Sequence, residues 1–360
     1  MTSRRTVRVA VSILVAAAAV AVGCTSDDSG SSDASSGGSS AGDVVVLVTY
    51  DSFALPEDAA AIFEERTGAQ IQVVASGDSG TMLTKALLSA GAPEGDVIFG
   101  IDNTLATRAI SEDLLEPFTP AAIDTVPEKY LLEGDAGDRL VPIDTGDVCL
   151  NLDQRWFTGQ GLALPTTLEQ LTDPAYQDLT VLGSPVTSSP GLAFLIGTVA
   201  RYGEDGWQDY WQRLEDNGVR VRPSWDDAYY SDYTVSGGDR PIVLSYASSP
   251  PVELVFAEGA FSEPPSTVML DSCVAQVEYA GVLAGAEHPE LAQELVEFML
   301  SPEWQAALPL SNYVFPVVDV TLPPEFDKWA QRAEDPLTVD PATIEAGRDR
   351  WIEQWREQME

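Results

Sequence analysis

Residues 44–102 read VVVLVTYDSFALPEDAAAIFEERTGAQIQVVASGDSGTMLTKALLSAGAPEGDVIFGID, and the architecture follows from the spacing inside that stretch. Apolar runs at 44–49, 71–75 and 96–100 are short and rich in Val and Ile, as strands are. Between them, residues 57–67 and 81–90 carry apolar side chains at helical spacing. Strand and helix in alternation predict a βαβαβ unit and therefore a parallel sheet. In such sheets ligands gather beyond the carboxyl ends of the strands, where helix N-termini also point. The segments that follow the three runs are Tyr50-Asp51-Ser52-Phe53, then Ser76-Gly77-Asp78-Ser79-Gly80, then Asp102-Asn103. Three polar or aromatic clusters are thus predicted on one edge.

Working outward, the same logic repeats. An apolar run at 179–182 precedes Thr187-Ser188-Ser189-Pro190-Gly191, which opens a helix reaching Tyr202, and further runs lie near 219–222 and 242–245. Ser188 and Ser189 suit the start of that helix as cap and anion donors. Trp225 follows one run and Tyr246-Ala247-Ser248-Ser249-Pro250 ends another. The expected fold is α/β and two-lobed, with two mostly parallel sheets flanked by helices. Lobe 1 is placed at 44–145 and lobe 2 at 146–270, with extended segments at 140–152 and 267–282 crossing between them. Residues 271–360 are expected to return and pack on lobe 1, with helices at 289–300, 302–308 and 341–358. No internal repeat is evident.

The segment before residue 44 reads as export machinery. Arg4, Arg5 and Arg8 precede an alanine-rich apolar run from 9 to 22, too short to span a bilayer with ease. Ala21-Val22-Gly23-Cys24 resembles a bacterial lipobox, which makes residues 1–23 a signal peptide and Cys24 a lipidated membrane anchor. An ordinary cleaved signal or a single anchor helix is the competing reading. From Thr25 to Asp43 the chain is almost all Ser, Gly, Ala and Asp. Such a composition cannot bury enough apolar area to offset its ordering entropy, so 24–43 is expected to act as a flexible tether reaching roughly 25 Å.

The net charge of −38 argues against a nucleic-acid partner. Removing 1–23 takes away three arginines and no acid, leaving 16 basic against 57 acidic side chains. That surface favours solubility and is compatible with gathering cationic ligands. With Cys24 assigned to lipid, Cys149 and Cys273 remain, either as one disulfide in an oxidising compartment or as two buried thiols. Both fall in the crossing segments, where a bond would tie the hinge.

Several chemistries find no support. Gly77-Asp78-Ser79-Gly80 looks like the nucleophile segment of trypsin-like proteases, but the lone histidine, His288, precedes Pro289 at a helix start, and the pattern is α/β. His288 reads as an exposed loop or cap residue. There is no Cys-x-x-Cys, no His-Glu-x-x-His, no phosphate loop and no dinucleotide fingerprint. No metal, cofactor or catalytic residue is expected. Tyr229-Tyr230 looks like the phenolate pair of ferric-ion-binding proteins, yet the histidine which that family takes from its first lobe is missing; surface tyrosines on a helix are the plainer reading.

The separated motifs together resemble the thiamine-binding proteins of bacterial ABC importers. They run in order: Thr49-Tyr50-Asp51-Ser52-Phe53, Gly100-Ile101-Asp102-Asn103, Thr187 to Leu192, and Leu244-Ser245-Tyr246-Ala247-Ser248-Ser249-Pro250. Gln276-Val277-Glu278, Phe298-Met299-Leu300-Ser301-Pro302, Asn312-Tyr313-Val314-Phe315-Pro316-Val317 and Val320-Thr321-Leu322-Pro323 complete them. The resemblance covers most of 44–328 and implies a type II periplasmic-binding fold that closes over its ligand. It implies Tyr50, Asp78 and Ser79 as first-lobe contacts, Ser188 and Ser189 as phosphate or hydroxyl contacts, and Trp225, Tyr246 and Tyr313 as the rest of an aromatic cage. Asp51, Asp102, Asn103 and Ser248 stand beside them as candidate contacts, and Asp144 as a further candidate counter-charge. Val252 stands where enterobacterial relatives carry an aromatic that stacks on the pyrimidine. The partners implied are thiamine or a thiamine phosphate, ABC permease subunits and, through the lipid, the outer face of the cytoplasmic membrane, with the protein acting as a monomer. A carrier of a polyamine or ferric iron and a carboxylate-based hydrolase of thiamine-like compounds are the readings from other classes.

Overall fold

The computed structural model describes residues 43–360; the signal segment, Cys24 and nearly all of the tether lie outside the described residues. Strands β1 (Val44–Thr49), β2 (Gln70–Ala75), β3 (Val97–Asp102), β4 (Leu115–Glu116) and β5 (Val141–Thr145) build the first sheet. The chain then enters a second sheet with β6 (Val148–Asp153), β7 (Thr180–Gly183), β8 (Arg220–Arg222), β9 (Ile242–Tyr246) and β10 (Ser266–Val274). It returns to the first through β11 (Val277–Leu283) and β12 (Phe315–Pro316). The sheet orders are β12-β5-β11-β3-β1-β2, with β4 beside β11, and β10-β6-β9-β7-β8.

Parallel pairing is confined to the outer strands: β1 with β2 and β3, and β7 with β8 and β9. The ladders β11 with β3 and β5, and β6 with β9 and β10, are antiparallel. The two sheets are therefore mixed rather than mostly parallel. The physical cause is the double crossing: β5 runs on into β6 and β10 into β11, so the returning strands oppose the outgoing ones in both sheets.

In the first lobe lie α1 (Glu57–Thr67), α2 (Ser79–Leu88) and α3 (Ala106–Ser111). The second holds α4 (Gln154–Gln160), α5 (Ser189–Tyr202), α6 (Trp207–Asp216) and α7 (Ser249–Phe256). After β11 come α8 (Pro289–Met299), α9 (Pro302–Ser311), α10 (Pro324–Trp329) and α11 (Pro341–Met359). One core joins Val45, Leu47, Phe63, Phe99, Leu295 and Trp304 under α1, α8 and α9. A larger one gathers Phe194, Trp207, Tyr210, Trp211, Trp351 and Trp355 about α5 and α6.

The last helix, expected on the first lobe, packs on both and mainly on the second. Trp355 meets Trp211 at 5.6 Å edge-on, Trp351 Nε1 donates to Glu204 at 3.1 Å, and Gln358 donates to the Gln208 carbonyl, all in the second lobe. It also touches the first lobe beside α3, where Ile344 shares an apolar cluster with Leu105, Ala106 and Ala109 and buried Arg348 donates to Thr104 O and Thr107 Oγ1. The apolar stripe of a helix announces that it is buried, not against which lobe.

Cys149 and Cys273 are bonded to each other across the β6–β10 ladder, both buried. Both lie in the second sheet, so the bond does not span the lobes; it holds the two hinge connections, 146–147 and 275–276, side by side at their second-lobe ends. The bond closes a loop of 124 residues in sequence separation. Replacing both cysteines by alanine is expected to lower the unfolding free energy by roughly 4 to 5 kcal/mol, the chain-entropy value for a loop of that size. The urea midpoint reads it, and a variant as stable as its parent would mean that the strand ladder alone holds the hinge.

Candidate functional site

The strand ends at the hinge face each other across a crevice. The first sheet contributes Tyr50 and Ser52 from the turn after β1; the second contributes Tyr246 from the end of β9, and Trp225 and Tyr230 from the segment after β8. Ser311, Asn312 and Tyr313 close it from the end of α9. Its cavity is about 30 Å³, far smaller than the roughly 300 to 1,000 Å³ of small-molecule sites, so the lobes must part to admit a solute. Among the described residues, no basic side chain, cysteine or histidine lines it. A larger groove on the outer face of the first lobe, between Phe63, Arg66 and Phe298, belongs to one lobe only and has no part in closure.

Each aromatic is positioned by a specific local device. Tyr50 lies over the backbone of β3 at Gly100, whose φ of 103° already favours glycine; a Cβ there would stand 2.3 Å from the tyrosine ring. Tyr313 has φ of 63°, an uncommon left-handed conformation for a bulky residue. It is fixed by Ser248, whose hydroxyl donates to the Tyr313 carbonyl, and by Asn312, which exchanges hydrogen bonds with Ala54 N and O at 3.0 and 3.1 Å. Trp225 stacks on Tyr229 at 4.7 Å and donates from Nε1 to Ser245 Oγ. Tyr313, Tyr246 and Tyr230 ring it at 6.0, 6.3 and 5.5 Å, and the Tyr230 and Tyr313 hydroxyls are 3.1 Å apart.

The polar candidates do something different from what their sequence positions suggest. Asp78 caps α2 through Ser79 N at 2.7 Å and, from the first lobe, accepts from Trp225 N in the second at 2.9 Å. Burial pushes its pKa up; the Trp225 and Ser79 N–H groups, and the Ser188 hydroxyl and Ser189 N–H beside it, pull it back down. The Asp78 carboxylate thus lies beside the start of α5, the helix end expected to contact a ligand phosphate or hydroxyl. Ser188 Oγ has no hydrogen bond of good geometry, while Ser189 Oγ donates to Asp102 Oδ2 across the lobes. Gln276 Nε2, from the hinge, donates to the same Asp102 oxygen at 2.8 Å and lies 2.7 Å from Ser189 Oγ. Asp102 is the last residue of β3 and fully buried rather than open on the edge, because that strand runs two residues beyond the predicted end. Burial raises its pKa against the pull of Ser189, Thr104 and Gln276. Asn103 clamps the hinge through Val277 N at 3.0 Å. Asp51 holds the second strand's turn, accepting from Gly77 N at 2.7 Å. Ser79 is buried in the first turn of α2.

The lip is acidic: burial, then Asp78, Asp51 and Asp227, push Asp226 up to about 6. Tyr229 is buried, not on the surface, and donates to Glu253 at 2.6 Å, so only Tyr230 of that pair faces the crevice. Val252 lies buried with Phe315 and Phe326 in a cluster against which the crevice-lining Tyr313 packs. His288 stands at the start of α8, half-buried beside Asp96. Sequence reasoning therefore assembled Tyr50, Trp225, Tyr246 and Tyr313 but missed Tyr230, Ser52, Ser311 and Asn312 as lining. Asn312 and Ser52 sat inside quoted motifs. Tyr230 is aimed inward by a π-helical turn over Asp227–Asp232, which no residue pattern announces.

Two α/β lobes joined by paired crossing strands, with an aromatic crevice between them, define a binding protein that closes on a small solute. Residues 93–334 match the family described as bacterial extracellular solute-binding protein, and the chain belongs to that family. Within it, the chain is 31% identical to the thiamine-binding periplasmic protein of Escherichia coli K12, over 88% of this chain and 93% of that one. It is 28% identical to the thiamine-binding periplasmic protein of Brucella suis, over 88% and 92%. A solved structure titled periplasmic thiamin binding protein superposes with a TM-score of 0.78 at 30% identity, covering 90% of this chain and 98% of that one.

The lobes touch directly at Gly80, where the Gly80 and Thr81 N–H groups donate to Thr187 O at 3.0 and 3.3 Å and a Cβ would meet that oxygen at 2.8 Å. Gly80→Ala is expected to prop the lobes apart while leaving each folded, seen as a larger radius of gyration in small-angle scattering. An unchanged profile would mean that the contact does not limit closure.

Proposed function

We propose that this protein captures thiamine or one of its phosphates in the interlobe crevice and delivers it to an ABC permease. The observation that carries the reading is the aromatic box of Tyr50, Trp225, Tyr230, Tyr246 and Tyr313, drawn from both lobes and set in an acidic surround without a basic side chain in its lining. Thiamine presents a permanently charged thiazolium and a flat aminopyrimidine. A cation against aromatic faces gains about 0.5 to 2 kcal/mol per good contact, more when water is excluded. Similarity to proteins named for thiamine binding supports the same ligand. Ligand would bind to one lobe and the other would rotate over it, with Asp78–Trp225 and Asp102–Ser189 as the closing contacts.

The ferric-ion alternative is weakened because the hydroxyl of buried Tyr229 is engaged by half-buried Glu253 and is not offered to the crevice. A hydrolase is disfavoured because the crevice lining offers tyrosine, serine, asparagine and tryptophan but no nucleophile–base pair or paired carboxylates in contact with the space. Within this proposal the chain is exported, held by a lipid on Cys24 at the outer face of the cytoplasmic membrane, and tethered through 25–43.

Calorimetric and tryptophan-fluorescence titration of the domain from Asp43 onward with thiamine, its mono- and diphosphate, spermidine and ferric citrate tests the ligand. One-site binding of a thiamine compound is expected. Trp225→Ala and Tyr313→Ala should each weaken it by about 1 to 2 kcal/mol, roughly five- to thirtyfold. A response only to spermidine or iron would replace the ligand. For the anchor, Cys24→Ala in a bacterial host is expected to shift the protein from the membrane to the soluble exported fraction; retention in the membrane would disprove lipidation at that thiol.

A further inference from the structure

Behind the aromatic box, three carboxylates stand in a row on one face of the first sheet. Asp144 on β5, Glu278 on β11 and Asp102 on β3 are directly opposite one another in the two antiparallel ladders. Cross-strand partners of this kind hold their Cβ atoms about 4.5 to 5.5 Å apart, and like charges so placed repel. All three are buried, Asp144 and Asp102 completely.

The row is not uniform. Asp102 accepts from Ser189, Gln276, the Thr104 hydroxyl and the Thr104 and Leu105 N–H groups, a donor set that suits a carboxylate. Asp144 has no such set, and neither of its oxygens meets a donor. Glu278 receives one long hydrogen bond, 3.4 Å, from the Tyr50 hydroxyl. The groups facing the pair are Asp102 from β3, Tyr50 from the turn after β1 and Tyr246 from β9; β12 sets only Pro316 opposite Asp144, and no Lys, Arg or His acts on either acid. Two adjacent ionised carboxylates without a cation or donors are too costly to bury, so one of them keeps a proton. Burial raises both pKa values, and the neighbouring carboxylate raises that of Glu278 further.

The pair also lies next to the crevice. Tyr50, whose ring lines the space, rests on Gly100 two residues before Asp102 and turns its hydroxyl to Glu278. On the other side Gly146, two residues after Asp144, packs against Tyr246, a Cβ there standing 3.1 Å from the ring. We propose that Asp144 and Glu278 are the site's counter-charge: with the crevice empty the pair holds one shared proton, and a cationic solute entering the crevice expels it to solvent. The ligand's positive charge then stands in for the proton's, which selects a permanently charged solute over a neutral one of the same shape. This exchange rests on the thiamine-class reading above.

The sign follows from linkage. Below the pair's folded pKa each binding event must release a proton, so affinity tightens with rising pH, by up to about tenfold per unit, and levels off above it. Burial puts Asp144 at about 8. Thiamine titrations between about pH 6 and 8.5, repeated in buffers of different ionisation enthalpy, should show tightening and release approaching one proton near pH 7. Asp144→Asn combined with Glu278→Gln should abolish both the pH slope and the release, because either acid left alone stays buried and protonated, whereas the uncharged aminopyrimidine alcohol should bind the parent protein with no slope. A merely structural role for the pair would leave the slope and the proton release in place in the double variant. Should the variant fail to fold, the parent itself gives the answer by difference infrared spectroscopy: the C=O stretch of a protonated carboxyl is expected in the empty protein and lost when thiamine is added. Thiamine binding with a flat pH profile and no proton release overturns the exchange but leaves the ligand standing. No thiamine binding at any pH sinks the ligand reading and the exchange with it.

Discussion

The double crossing between the sheets is the constraint on which the rest depends. Because β5 continues into β6 and β10 into β11, the two connections run side by side and their strands must pair antiparallel in both lobes. That arrangement makes each sheet mixed, sets the lobes face to face at their strand ends, and leaves a hinge only a few residues long. Everything that could seal or select is then built on residues adjoining the hinge: Asp102 and Asn103 at the end of β3, Gln276 between β10 and β11, Glu278 within β11, and Cys149 and Cys273 on the strands that enter and leave the second sheet.

Polar groups join the lobes alongside an apolar cluster that runs through both, from Met82 and Leu105 to Phe194 and Trp211. Asp78 meets Trp225 N, Ser189 meets Asp102, and the Gly80 and Thr81 amides meet Thr187 O, each contact joining first lobe to second. Such bonds contribute modestly net of water, on the order of 1 kcal/mol each. A handful of them can favour a closed form without locking it, as a protein that must release its cargo requires. The helix α11 adds a second restraint, anchored by tryptophans on the second lobe and touching the first through Ile344 and Arg348.

Charge gives the crevice its character. The lining itself is aromatic and uncharged, yet Asp226 at the lip and the Asp144–Glu278 pair behind Tyr50 surround it with acids whose pKa values are pushed up by burial. An ionised acid in contact with ligand would be simpler chemistry. Acids held one residue back, behind a tyrosine, instead present a field that a cation strengthens and a neutral solute does not.

The sequence by itself determined the βαβαβ opening, the crossing segments and four of the aromatics that line the crevice, because hydrophobic period and strand-end position are local properties written residue by residue. It also singled out Asp78, Ser188, Ser189 and Asp102, but gave each of them to the ligand. Only the tertiary structure decided that these groups face one another across the lobes, that Tyr230 rather than Tyr229 turns inward, that the disulfide stays within one sheet and that α11 lies on the second lobe. The reason is the same in each case: a side chain's type fixes what it can bond to, but which partner it meets depends on strand register and lobe packing, and those join residues as far apart as Asp102 and Ser189 or Asp144 and Glu278.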